Sequence, residues 1–134
     1  MSTFHPSTLL RQALLADAAV SGATGLLLAL GAGPLAALLA MPVGLLRYAG
    51  LVLLPFAAVV AYLGTRGRLP RAAVWAVVVV NALWTMESLA MLLAGWVSPN
   101  ALGHAFVVAQ ALAVAALASA QYVGLQRSAP AVAA

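Results

Sequence analysis

Residues 72–96 read AAVWAVVVVNALWTMESLAMLLAGW, twenty-five positions with a single formal charge, Glu87. A run this long and this apolar is enough for an α-helix to cross the hydrocarbon of a bilayer, which takes about 20 residues. The short turn Ser98-Pro99-Asn100 closes it, and a second apolar run follows over about 101–124. Upstream, the loop Thr65–Arg71 separates it from an apolar stretch over about 43–64, and a first run covers about 9–30. Four spans in 134 residues leave room for little else, so the sequence predicts one all-α domain, a four-transmembrane-helix bundle.

Composition agrees. Two thirds of the chain (66%) is hydrophobic and 6% is charged, whereas soluble domains carry about 25% charged residues. No water-soluble surface can be assembled from so few charges. The first run carries Asp17 and continues to about Leu30, so it reads as a retained helix rather than a cleaved leader. Gly31-Ala32-Gly33-Pro34 ends it. The apolar piece Leu35–Ala40, closed by Pro42, is too short to span and is expected as a short interfacial helix between the first two spans. Pro55 falls inside the second span, where a kink is expected. The tail over about 128–134 is expected to fray.

The charges set direction. Arg11, Arg66, Arg68, Arg71 and Arg127 share one side if the count is four, and Arg47 alone lies toward the other. Positively charged loops stay in the cytoplasm, so both termini are expected inside. Tyr62, Trp75 and Tyr122 fall at the cytoplasmic boundary and Tyr48 and Trp96 at the outer one, while Trp84 falls near mid-membrane. Six arginines without a lysine, in an alanine-rich chain, point to a bacterial inner membrane. The first and second pairs of spans also show a faint repeat at an offset of 65, with Leu27-Leu28-Ala29 matching Leu92-Leu93-Ala94 and Pro34 matching Pro99.

Several function classes drop out. The net charge of +4 is not a nucleic-acid patch, because the arginines cap apolar runs instead of clustering with exposed aromatics. There is no cysteine, which removes thiolate metal sites and disulfides. A single histidine within the spans, His104, cannot supply the paired axial ligands of a membrane haem, and with Glu87 it falls short of a metal site. No nucleophile–base pattern or phosphate loop is present, so neither an enzyme nor a cofactor is indicated.

What remains informative is polarity at membrane depth, because a charge there costs roughly 2.5–3.5 kcal/mol on insertion scales and seeks a partner. Asp17, Ser21 and Thr24 occupy one face of the first span, and Asn81, Thr85 and Ser88 repeat the same spacing on the third. Asp17 and Asn81 sit level, about 12–14 Å from the cytoplasmic helix ends. These faces are expected to meet and hydrogen-bond, with Gly25 admitting close approach. The plain reading of this seam is adhesion between helices. Asp17 exceeds it, since an asparagine would bond as well without the charge.

The second cluster lies in the outer half. Glu87 and Gln110 are level, and Arg47 and His104 lie nearer the boundary, so an Arg47–Glu87 pair completed by Gln110 or His104 is expected. Glu87 also shares a helix side with Trp84, which would suit an amphipathic or cationic ligand. Two functions follow. The first is a structural or accessory subunit that meets a copy of itself or another membrane protein. The alternative is a small transporter, channel or ligand-binding protein with Glu87 or Asp17 as its protonatable group.

Overall fold

The computed structural model describes residues 3–130. Five helices follow in order: α1 (Thr8–Leu30), α2 (Ala32–Leu39), α3 (Val43–Gly64), α4 (Arg71–Leu93) and α5 (Ala101–Gln126). Four of them, α1, α3, α4 and α5, are long and apolar enough to cross a membrane. The chain is therefore a multi-pass membrane protein by the length and character of its helices.

Each boundary has a local cause. Ser7 caps α1, its hydroxyl accepting from Leu10 N at 3.2 Å. Asn100 caps α5, with Oδ1 accepting from Gly103 N at 2.8 Å. The same residue holds the end of α2, because Asn100 N donates to Leu39 O and Nδ2 donates to Leu38 O at 2.8 Å. Helix α4 stops at Leu93, three residues before the expected Trp96. Gly95 adopts φ +72°, Trp96 N bonds Met91 O, and Gly95 N bonds Leu92 O. This left-handed glycine closure leaves Trp96 outside the helix.

Three short strands were not expected from the sequence: β1 (Thr3–His5), β2 (Leu69–Pro70) and β3 (Ala129–Pro130), antiparallel in the order β2-β1-β3. Strands of two or three residues carry no periodicity that could announce them. They gather at the arginine-bearing end and bury Phe4 and Leu69. Residues 129–130, expected to fray, are paired there with β1. The rest of that tail, 131–134, lies outside the described residues.

Helix α1 is central. It packs along α3 and along α5, and α4 packs on α5. Glycines make the closest crossings. A Cβ at Gly50 of α3 would fall 2.7 Å from Gly25 O and 2.9 Å from Leu28 C on α1. One at Gly124 of α5 would fall 2.7 Å from Leu10 Cα. Small residues let backbones meet where lipid supplies no hydrophobic drive between helices. Apolar side chains form two clusters. One, at the arginine end, includes Phe4, Leu10, Leu14, Val60, Val74 and Leu125. The other, at the far end, includes Leu28, Leu39, Leu46, Leu53 and Val107. Between Leu14 and Leu28 on α1 stand Asp17 and Ser21, so a polar layer separates the two cores.

Candidate functional site

The polar layer is built from three helices. Asp17 is fully buried, with 0% of its surface exposed. Its Oδ1 accepts from Ser21 Oγ at 2.9 Å, one turn along α1. Its Oδ2 accepts from Asn81 Nδ2 of α4 at 2.7 Å and from Gln121 Nε2 of α5 at 2.7 Å. Asn81 Nδ2 also donates to Gln121 Oε1 at 3.0 Å, closing a ring of three side chains. Every buried side-chain donor and acceptor among the described residues is paired. Gln121 is absent from the sequence-based candidates around Asp17. The usable signal was its depth on α5, since it sits five residues from that helix's arginine-side end.

The remaining pairs of the expected seam do not form. Thr85 Oγ1 donates to Asn81 O in its own helix at 3.0 Å, with Ala111 O of α5 at 3.4 Å. Ser88 Oγ donates to Trp84 O at 2.7 Å. Thr24 faces a pocket, and Gly25 abuts Leu53 and Gly50 of α3. The physical reason is the packing order: α1 rests on α3 and α5, so its polar face meets α4 through the Asp17–Asn81 hydrogen bond alone while the hydroxyls of α4 satisfy themselves locally.

Beyond the polar layer, toward the end without the arginine loops, α3 and α4 stand apart. The space between them is a pocket of about 520 Å³, walled by α3 on one side, α4 on the other, and α1 and α5 behind. Apolar side chains such as Leu46, Val52 and Met91 form most of its surface. Tyr48, Trp84, Trp96 and Phe106 give it four aromatic rings. The polar groups are few: Glu87, Gln110, Thr24 and Ser88. Trp84 Nε1 donates to Gln110 Oε1 at 2.8 Å, and Gln110 Nε2 donates to Val107 O at 2.9 Å. Both ends of the Gln110 amide are thereby used, and the indole is fixed.

Glu87 lines this pocket and is exposed. The expected Arg47–Glu87 pair is not present. Arg47 is exposed on the first turns of α3 and does not line the pocket, and no ion pair or hydrogen bond joins it to Glu87 among the described residues. Depth accounts for this: Arg47 lies one turn from the start of α3, whereas Glu87 lies six residues inside the end of α4. His104 is exposed, with Nδ1 3.1 Å from Asn100 O, and also stays outside. Glu87 thus faces a pocket in which no arginine, lysine or histidine takes part.

A second, smaller cavity of about 50 Å³ lies deeper. Val52 and Trp84 border both cavities, and Ser21 and Asn81 of the polar layer line the smaller one. No cluster of three or more His, Asp or Glu side chains able to hold a metal ion occurs among the described residues. At the arginine end, Arg66 lies over the Tyr62 ring at 5.2 Å and Arg71 over Phe4 at 5.6 Å. Arg11 donates to Gly64 O at 3.1 Å. These arginines anchor helix ends and face away from the pocket.

No protein-family model, no curated protein and no solved structure matches this chain. The site is therefore argued from its own chemistry.

Proposed function

We propose that this chain is a small membrane protein that binds an amphipathic organic cation in the pocket between α3 and α4, as a ligand-binding or transport protein. One observation carries the reading: Glu87 faces an aromatic pocket of about 520 Å³ that holds no counter-charge. The carboxylate lies six residues from the end of α4, about 9 Å into the membrane at 1.5 Å per residue. Keeping a charge at that depth costs a few kcal/mol. Adhesion between helices does not explain it, because Glu87 joins no other helix. The volume suits a drug-sized molecule. Indole and phenol faces attract cations by roughly 0.5–2 kcal/mol each, more as water is excluded. A carboxylate with aromatic walls selects a hydrophobic monovalent cation over an anion or a neutral lipid tail.

In this reading the four spans form a bundle in a bacterial inner membrane with both termini in the cytoplasm, supported by five of six arginines at one end. Helix α2 then lies at the opposite membrane surface and closes that end of the bundle. The cation enters sideways or from the outer surface. The accessory-subunit reading draws its support from the polar layer, whose members are all satisfied and would serve packing alone.

Binding of tetraphenylphosphonium and of a long-chain quaternary ammonium to protein in lipid nanodiscs tests the proposal, read by quenching of Trp84 and Trp96 fluorescence. Wild type binds both, and Glu87→Gln weakens binding at least about tenfold, or 1.4 kcal/mol. Equal binding by Glu87→Gln, or displacement of the cation by a neutral detergent of the same chain length, would mean that the pocket is a lipid groove and the proposal is wrong.

A further inference from the structure

The polar layer holds the one aspartate of the chain, and the cation pocket has no use for it. We infer that Asp17 is a proton-binding site, reached from the pocket through the small cavity beside Trp84. Three observations meet here. Asp17 is fully buried, and its partners are a hydroxyl and two amides, with no cation among them. The cavity of about 50 Å³ is lined by two of those partners, Ser21 and Asn81. It shares Val52 and Trp84 with the larger pocket.

The partners accommodate either state of the carboxyl. Asn81 and Gln121 both present N–H groups to Oδ2, which serves as acceptor whether or not Oδ1 carries a proton. A hydroxyl is both donor and acceptor. Ser21 Oγ donates to the carboxylate Oδ1, and with a proton on Oδ1 it accepts while its own hydrogen turns to the small cavity that it lines. Arginine or lysine in place of either amide would hold the carboxylate in one state.

The route is equally specific. The cavity exceeds the volume of one water, about 30 Å³ in the liquid, and Ser21 and Asn81 give that water polar neighbours. A proton passes from water in the pocket to water in the cavity and on to Ser21 Oγ, which lines the cavity and hands its own hydroxyl proton to Asp17 Oδ1. No bond besides O–H forms or breaks. The indole of Trp84, held by Gln110, stands between the two spaces. Titratable groups on the surrounding elements lie elsewhere. On α1, Arg11 is engaged with Gly64 O. On α3, Arg47, Tyr48 and Tyr62 are exposed near its two ends. On α4, Arg71 lies over Phe4 and Glu87 is in the outer pocket. On α5, His104 is exposed near the start, and Tyr122 is exposed and set edge-on against Trp75. No charged group stands in Asp17's ring of partners.

Because the chain has one aspartate and one glutamate, isotope labelling assigns each carboxyl without a substitution. Infrared spectra of reconstituted wild-type protein, with and without aspartate carrying 13C at its side-chain carboxyl, are recorded across pH and in heavy water. The inference expects an acid C=O band that shifts with the label, appears reversibly as pH falls, and moves on deuteration. Val114→Phe, at a position that lines the small cavity and not the larger pocket, slows that deuteration at least about tenfold while leaving the Glu87 band to exchange as before. Val114→Leu replaces it if the larger ring disturbs the helical circular dichroism. A labelled band that stays carboxylate at every pH where the helices persist overturns the inference. So does an acid band whose exchange ignores the cavity-filling change. No organic cation enters the measurement, so its outcome is independent of the Glu87 proposal.

Discussion

Trp84 Nε1 donates to Gln110 Oε1 at 2.8 Å, and this bond fixes the wall between the two cavities. The indole bridges α4 to α5. Gln110→Leu removes the acceptor and leaves that N–H unpaired. The expected cost is about 1–3 kcal/mol of stability. Thermal unfolding in mild detergent measures it. Cation affinity should fall as well, because the ring loses its fixed pose. If Gln110→Leu is as stable as wild type, the bond is incidental to the wall.

Asn81 and Gln121 answer the same carboxylate oxygen, so their removal should not be additive. Asn81→Leu and Gln121→Leu each strip a donor from a fully buried acid, at about 2–3 kcal/mol apiece. After the first loss, the ring is open and the second change costs less. The double variant should fall short of the sum by about 1 kcal/mol or more. Strict additivity, read in the same unfolding assay, would show that the two amides act as separate contacts.

Gly50 and Gly44 both lie in the first half of α3 and should respond oppositely to alanine. A Cβ at Gly50 would press on Gly25 O and Leu28 C of α1, whereas one at Gly44 would meet nothing within 4 Å. Gly50→Ala should cost about 1–3 kcal/mol as overpacking forces the helices apart. Gly44→Ala should be neutral or gain up to about 1 kcal/mol from helix propensity. Equal effects of the two would place the α1–α3 crossing somewhere other than Gly25 and Gly50.

Much of the fold was legible before any coordinates. The run over 72–96 demands lipid, and Gly31, Pro42 and Pro99 mark the breaks between elements because each interrupts helical hydrogen bonding. The depth of Asp17 and Asn81 follows from counting at 1.5 Å per residue. The depth of Glu87 and Gln110 follows in the same way, but counting gives height and not azimuth. Arg47 was paired with Glu87 on height alone, and it is exposed and outside the pocket lining. Gln121 was not placed with Asp17, because its height on α5 matters only once α5 is known to lie against α1. Trp96 was read as the last residue of a helix, since one glycine turning left-handed at Gly95 leaves no trace in hydropathy.

The sequence by itself therefore determined the solvent, the number of long helices, their breaks and the depth of each polar group. Those follow from one-dimensional quantities: transfer free energy per residue, helical rise, and the backbone limits of glycine and proline. Only the tertiary structure decided which helices are neighbours. That choice rests on where Gly25, Gly50 and Gly124 let backbones touch, and these contacts are local in space but remote in sequence. The choice placed Gln121 on Asp17 and left Glu87 without a partner among the described residues. It also left α3 and α4 far enough apart to hold a pocket between them.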